Sequence, residues 1–98
     1  MDYQVTFASE ARSDLRDIIG YISLDSPLAA ERFATLLTIK TEKLSTHPWM
    51  GQIVPDFRHS CIREIIVGNY RIIYEVNELA RSIEILRYWH AARGVPEI

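Results

Sequence analysis

At 98 residues and 48% hydrophobic content, the chain is long enough for one domain with a modest core and too short for a second. Its formal charge of -2 and pI near 5.9 argue against a protein that holds nucleic acid mainly by releasing counterions, because such domains carry a clear basic excess; whole-chain charge favours a protein target. Residues 1–57 carry 5 basic and 8 acidic groups and residues 58–98 carry 6 and 5, the later six all arginine, so a local site for phosphate or carboxylate and a salt-bridged surface are both open readings.

The N-terminus holds Asp2, Glu10, Arg12 and Asp14 where a signal peptide would place an apolar run, and no stretch reaches the length of a membrane span. Cys61 stands alone, so no internal disulfide is expected and the natural setting is reducing and cytoplasmic. Tyr3, Val5 and Phe7 alternate with polar residues and predict a short, half-buried strand. Ser9 can cap a following helix, in which Ala11, Leu15, Ile18, Ile19 and Ile22 make one apolar face while Asp14, Arg16 and Asp17 keep the other wet.

Asp25-Ser26-Pro27 is a stop and a restart, with Ser26 as cap and Pro27 in a first turn that needs no N–H from it. At about 100° per residue, Ala30, Phe33, Ala34, Leu37, Thr41 and Leu44 share one side of the second helix. So short a connection predicts an antiparallel helical hairpin. Leu28, Leu36 and Ile39 fall outside the core arc, where a helical segment of a partner or a second copy of the chain could cover them.

His47-Pro48-Trp49-Met50-Gly51 ends the helix, and residues 47–60 read as a loop in which Trp49 and Met50 plug the edge of the core. Cys61 to Val67, Tyr70 to Val76 and Arg81 to Trp89 read as strands, with Gly68-Asn69 as a two-residue hairpin turn. Pairing Val67 with Tyr70 sets Ile66 opposite Arg71 and Glu64 opposite Ile73, so Glu64, Arg71 and Glu75 share one sheet face. The other face carries Ile65, Val67, Tyr70, Ile72, Tyr74 and Val76 and should meet the helices. The predicted class is α+β: a strand, a helical hairpin, then a three-stranded antiparallel meander with the hairpin on one sheet face.

Several pieces, taken in order, carry a more specific signal. They are Tyr3-x-Val5-x-Phe7-x-x-x-Ala11-x-x-Asp14-Leu15-x-x-Ile18-x-x-Tyr21-Ile22, then Asp25-Ser26-Pro27, Ala30, Arg32-Phe33 and Leu44-x-x-x-Pro48-x-x-Gly51. Arg63-Glu64, Tyr70-Arg71-Ile72-Ile73-Tyr74 and Ile83-x-Ile85-Leu86, running into His90-x-x-Arg93, complete the set. With these residues the chain resembles the RelE/ParE superfamily, the toxin half of bacterial type II toxin-antitoxin pairs. The resemblance spans nearly all of residues 1–98 and implies one RelE/ParE-like domain, with a cognate antitoxin as partner and no cofactor.

The superfamily has two activities, and the resemblance bears on each through particular residues. Its ribosome-dependent nucleases drive a ribose 2'-OH onto the adjacent phosphate, which needs proton transfer and stabilisation of phosphorane charge. Arg71 matches the arginine they use on the phosphate. The two positions where they carry lysines fall on Ile62 and Glu64, and the run Arg87-Tyr88-Trp89-His90 puts Trp89 where they place a catalytic histidine. A nuclease would then have to work with Arg71, His90 and Glu64, and Glu64 is more simply read as the ion-pair partner of Arg71.

The ParE-like branch poisons DNA gyrase by binding it and needs no catalytic residue. Short length, the His-x-x-Arg ending and the missing lysine pair favour this branch, with Arg63, Arg71, His90 and Arg93 as candidates for binding or support. The alternatives are an endoribonuclease acting with the ribosome on mRNA and a non-toxic module that only binds antitoxin. A homo-oligomer is open. His59 and Cys61 are two residues apart but fall short of the three or four ligands of a zinc site, so no metal is expected.

Overall fold

The computed structural model describes residues 2–57 and 61–98. Strand β1 (Gln4–Phe7) leads into helices α1 (Ser9–Asp25) and α2 (Pro27–Glu42), and a 3-10 turn at Lys43–Ser45 closes the second helix. Strands β2 (Gln52–Ile53), β3 (Ile62–Val67), β4 (Tyr70–Asn77) and β5 (Ser82–His90) follow, and a last 3-10 turn spans Ala91–Arg93. The strands form one five-stranded sheet in the order β1-β5-β4-β3-β2.

The β3–β4 hairpin has the expected register, with Val67 opposite Tyr70, Ile66 opposite Arg71 and Glu64 opposite Ile73. Its turn puts Gly68 at φ +58° and keeps Asn69 out of the positive region, as a tight hairpin with glycine first requires. Two pairings extend the expected meander. β2 joins β3 through Gln52 opposite Glu64 and Ile53 opposite Arg63, inside the segment expected to be loop. β1 lies parallel to β5, with Gln4 opposite Ser82 and Phe7 opposite Ile85, so the first and last strands are neighbours.

A bulge in β5 decides which side chains reach which face. Ile73 pairs with Arg87 and Tyr74 with Ile85, which leaves Leu86 as an extra residue. Ile83, Ile85 and Tyr88 thus join the helix-side core with Val67, Ile72, Tyr74 and Val76, packed under Ala11, Ile18, Leu37 and Leu44. On the opposite face Val54, Ile62, Ile73 and Trp89 form a second, smaller cluster, with Leu86 and Phe57 against it.

The helix ends are set by different devices. Ser26 alone separates the helices, and its Oγ accepts from the Ala29 N–H at 3.1 Å, with Pro27 in the first turn. The expected Ser9 cap is corrected: Ala8 is the cap residue, and the Ser9 hydroxyl turns instead to Glu10 Oε1 at 3.1 Å. The Ala8 N–H donates to Ile85 O at 2.9 Å, so β5 fixes where α1 begins.

Asp14, expected on the wet face, is half-buried against β5. Its two carboxylate oxygens accept from Arg87 Nε at 2.7 Å and Nη2 at 2.8 Å, and Oδ2 also takes the Tyr88 N–H at 3.1 Å. β1 ends opposite Ile85, so the edge of β5 beyond it would be unpaired, and Asp14 closes it. The Asp14 carboxylate raises the pKa of Arg87.

Trp49 and Met50 do not plug the core; they are 39% and 46% exposed. The Trp49 indole N–H donates to Glu78 Oε1 at 2.8 Å, and the Tyr3 hydroxyl donates to the same oxygen at 2.6 Å. One carboxylate thereby ties the loop after α2 and the start of β1 to the β4–β5 turn. Next along the loop, buried Gly51 donates its N–H to the Tyr74 hydroxyl at 2.9 Å. A Cβ there would lie 2.6 Å from both Glu64 O and Tyr74 Oη, so only glycine fits.

Candidate functional site

Arg71 and Glu64 meet on the sheet face away from the helices, as the hairpin register requires. Arg71 is 9% exposed and Glu64 4%. Arg71 Nε donates to Glu64 Oε1, and Nη2 reaches Asp56 Oδ1 at 3.4 Å. Gln52 Nε2 donates to the other Glu64 oxygen at 3.0 Å. Both Glu64 oxygens are therefore engaged, and Arg71 is shared between two carboxylates, a local balance of one positive against two negative charges. Ile62, at one of the two lysine positions of the nucleases, is buried in the apolar cluster beside this network.

His90 is elsewhere. It stands opposite Tyr70 in the β4–β5 ladder, and its ring meets the Tyr70 ring edge-on with centroids 5.0 Å apart. Tyr70 in turn rests on Phe33 of α2 at 5.5 Å, so His90 lies on the helix side. Arg71 is the next residue along β4 and faces the other way. His90 Nδ1 accepts from the Ala92 N–H at 3.0 Å and caps the final 3-10 turn, which assigns that nitrogen a structural task.

The other two arginine candidates also lie on aromatic rings. Arg63 Nη1 donates to Gly51 O at 3.1 Å, and its guanidinium lies 5.0 Å from the Trp49 ring centroid. Arg93 lies 3.8 Å from the Trp89 ring centroid, and Arg87 is 4.8 Å from the same ring. Leu28, Leu36 and Ile39 are exposed along the back of α2, as expected, at 55%, 40% and 47%.

These positions do not converge on one pocket. Glu64 and Arg71 share a buried network, Arg63 braces the loop, His90 caps a turn, Arg93 stands on Trp89, and the three aliphatics lie on α2. Asp56 and Gln52, which complete the buried network, were not expected; they belong to a segment whose two-residue strand shows no alternation. His59 lies outside the described residues, and Cys61 Sγ is 3.8 Å from Glu75 Oε2. No helix among the described residues is long and apolar enough to cross a membrane.

Comparison with known proteins gives three concordant findings. The family model for the ParE toxin of the parDE type II toxin-antitoxin system matches residues 5–95. Toxin RelE2 of Caulobacter vibrioides is 35% identical over 91 residues, covering 92% of this chain and 97% of that protein. Among solved structures, a chain of the toxin-antitoxin complex RelBE2 from Mycobacterium tuberculosis superposes with a TM-score of 0.67 at 24% identity, covering 92% of this chain and 99% of its own. A chain of the chromosomal ParDE system of P. aeruginosa gives 0.71 at 19% identity, with 90% and 95% covered. At those identities the two structures speak for the fold, whereas the family model and the Caulobacter relative speak for descent.

Proposed function

The chain belongs to the ParE toxin family of type II toxin-antitoxin systems, within the RelE/ParE superfamily, and on that premise we propose that it arrests growth by binding and poisoning DNA gyrase in the cytoplasm and is neutralised by a cognate antitoxin. The observation that supports a binding toxin over a nuclease is the separation of Arg71 from His90. A phosphoryl-transfer site needs its proton carrier and its phosphate-binding cation within reach of the same group. Here His90 is on the helix side with Tyr70, and Arg71 is on the opposite side, already held by Glu64 and Asp56. Ile62 and Glu64 supply no cation in their place. A toxin that works by occupying a protein surface needs none of these groups free.

The antitoxin reading is supported by the solved relatives, which are described as toxin-antitoxin complexes or systems, and by the exposed Leu28, Leu36 and Ile39 on α2. The test is a supercoiling and DNA-cleavage assay with purified gyrase. The expected result is loss of supercoiling with accumulation of cleaved DNA, reversed by the antitoxin. Unchanged supercoiling together with transcripts cut at the ribosomal A site, lost in Arg71→Ala and His90→Ala, would establish the nuclease alternative. Normal growth on expression without antitoxin would establish the non-toxic module.

A further inference from the structure

Among the described residues, five guanidinium groups lie over aromatic rings: Arg12 on Phe7, Arg63 on Trp49, Arg81 on Tyr3, and Arg87 and Arg93 on Trp89. A chain of this length ordinarily has about one such contact of energetic weight. Three features single out Arg93 in combination.

Its approach is the shortest, 3.8 Å against 4.6 to 5.4 Å for the rest, and it is made to an indole, the ring that attracts a cation most strongly, which Arg87 shares at 4.8 Å. The platform is also fixed. Trp89 is 2% exposed, its N–H donates to Gly94 O at 3.2 Å, and Arg87, itself clamped by Asp14, donates to Glu97 O at 2.9 Å. Third, Arg93 is exposed and has no hydrogen bond or ion pair among the described residues, whereas Arg87 spends its donors on Asp14 and Glu97. A guanidinium lying on a ring leaves its N–H edge pointing outward. Here that edge is held on a rigid base before any partner arrives.

We propose that Arg93 is a pre-oriented anchor that takes one carboxylate of a protein target, an Asp or Glu side chain, in a bidentate pair. The proposal rests on the target-binding reading above, and it names the chemistry by which the target is gripped. A carboxylate fits better than nucleic-acid phosphate. Contact along a phosphate backbone draws on several adjacent free cations, and the two arginines placed at Trp89 among the described residues, Arg87 over its ring and Arg71 opposite it in the ladder, are neutralised by Asp14, Glu64 and Asp56. A forked donor whose neighbours at Trp89 are already neutralised suits one planar acceptor.

The test induces the chain without antitoxin, as wild type, Arg93→Ala, Arg93→Lys and the charge control Lys43→Ala, and scores growth arrest; the purified proteins are then titrated against gyrase. Arg93→Ala gives up its contact with the Trp89 ring and should melt a few degrees lower, so potency is compared at a temperature where all four variants are folded. The expected result is at least about a tenfold loss of potency in Arg93→Ala, no rescue by lysine, which cannot form the fork, and a wild-type response in Lys43→Ala. Arg93→Ala as potent as wild type overturns the proposal. So does full rescue by lysine, or a steep salt dependence of binding that falls by several charges' worth rather than one, which is the signature of a phosphate contact. Growth arrest without inhibition of gyrase overturns the gyrase reading alone, because the growth assay still reports on Arg93; absence of arrest in wild type overturns both.

Discussion

The two faces of the sheet hold the protein together by different physics. On the helix side, α1 and α2 bury aliphatic and aromatic side chains with few polar atoms among them, the main exception being the Thr41 and Tyr88 hydroxyls, which satisfy each other at 3.1 Å. On the other side a small apolar cluster shares space with a buried ion pair and its two flanking groups, Asp56 and Gln52. Apolar burial is non-directional and tolerant, so the first face can lose a methylene and relax. A buried charge pair depends on geometry, and the second face cannot lose one member without stranding the other. Arg71 belongs to this second face and is held there by Glu64 and Asp56.

Three experiments would break or sharpen this contrast. The largest effect is expected for Glu64→Ala, which leaves Arg71 buried with only the longer Asp56 contact and should cost about 4 kcal/mol in denaturant unfolding. Replacing both partners by apolar residues, Glu64→Leu with Arg71→Met, should recover most of that loss. A double variant as unstable as the single one would mean that the pair is not coupled as described. On the helix side, Leu37→Ala at 1% exposure should cost about 3 kcal/mol through a cavity. Leu36→Ala, one residue away and 40% exposed, should stay within about 0.5 kcal/mol. Equal losses at the two positions would contradict the assigned helix face.

The smallest effect concerns pH. Glu78 is held below the usual carboxylate range by hydrogen bonds first from Tyr3 and then from Trp49. A lowered folded-state pKa means that the stabilisation is complete above the unfolded carboxylate's range and is lost as pH falls through the folded value. An acid titration of stability should therefore flatten in Glu78→Gln, and an unchanged acid limb would remove Glu78 from the account.

Much of this organisation was legible in the residues, and the exceptions have physical reasons. The β3–β4 register follows from Gly68-Asn69, because a two-residue turn leaves one alignment that keeps the apolar alternation on one face. That alignment by itself sets Glu64 diagonal to Arg71. The parallel pairing of β1 with β5 was not legible, since alternation says that a strand is half-buried but not which strand lies beside it. Asp14 read as a wet-face residue because helical periodicity knows nothing of a strand edge that needs a carboxylate. Gln52–Ile53 is too short to show a period. The split between His90 and Arg71 arises because Tyr70, not Arg71, is the residue that His90 faces across the ladder.

The place of β5 in the sheet has a consequence for synthesis. β5 lies between β1 and β4, so the strand made last must insert between elements made earlier, and residue 4 finds its partner only when residue 82 is available. Contacts so distant along the chain form late and slowly. A ribosome must therefore release nearly the entire domain before the sheet can close, and until then β1 and the helical hairpin lack the strand on which Ala8 and Asp14 anchor. Any activity that needs the closed sheet is thereby delayed past most of translation.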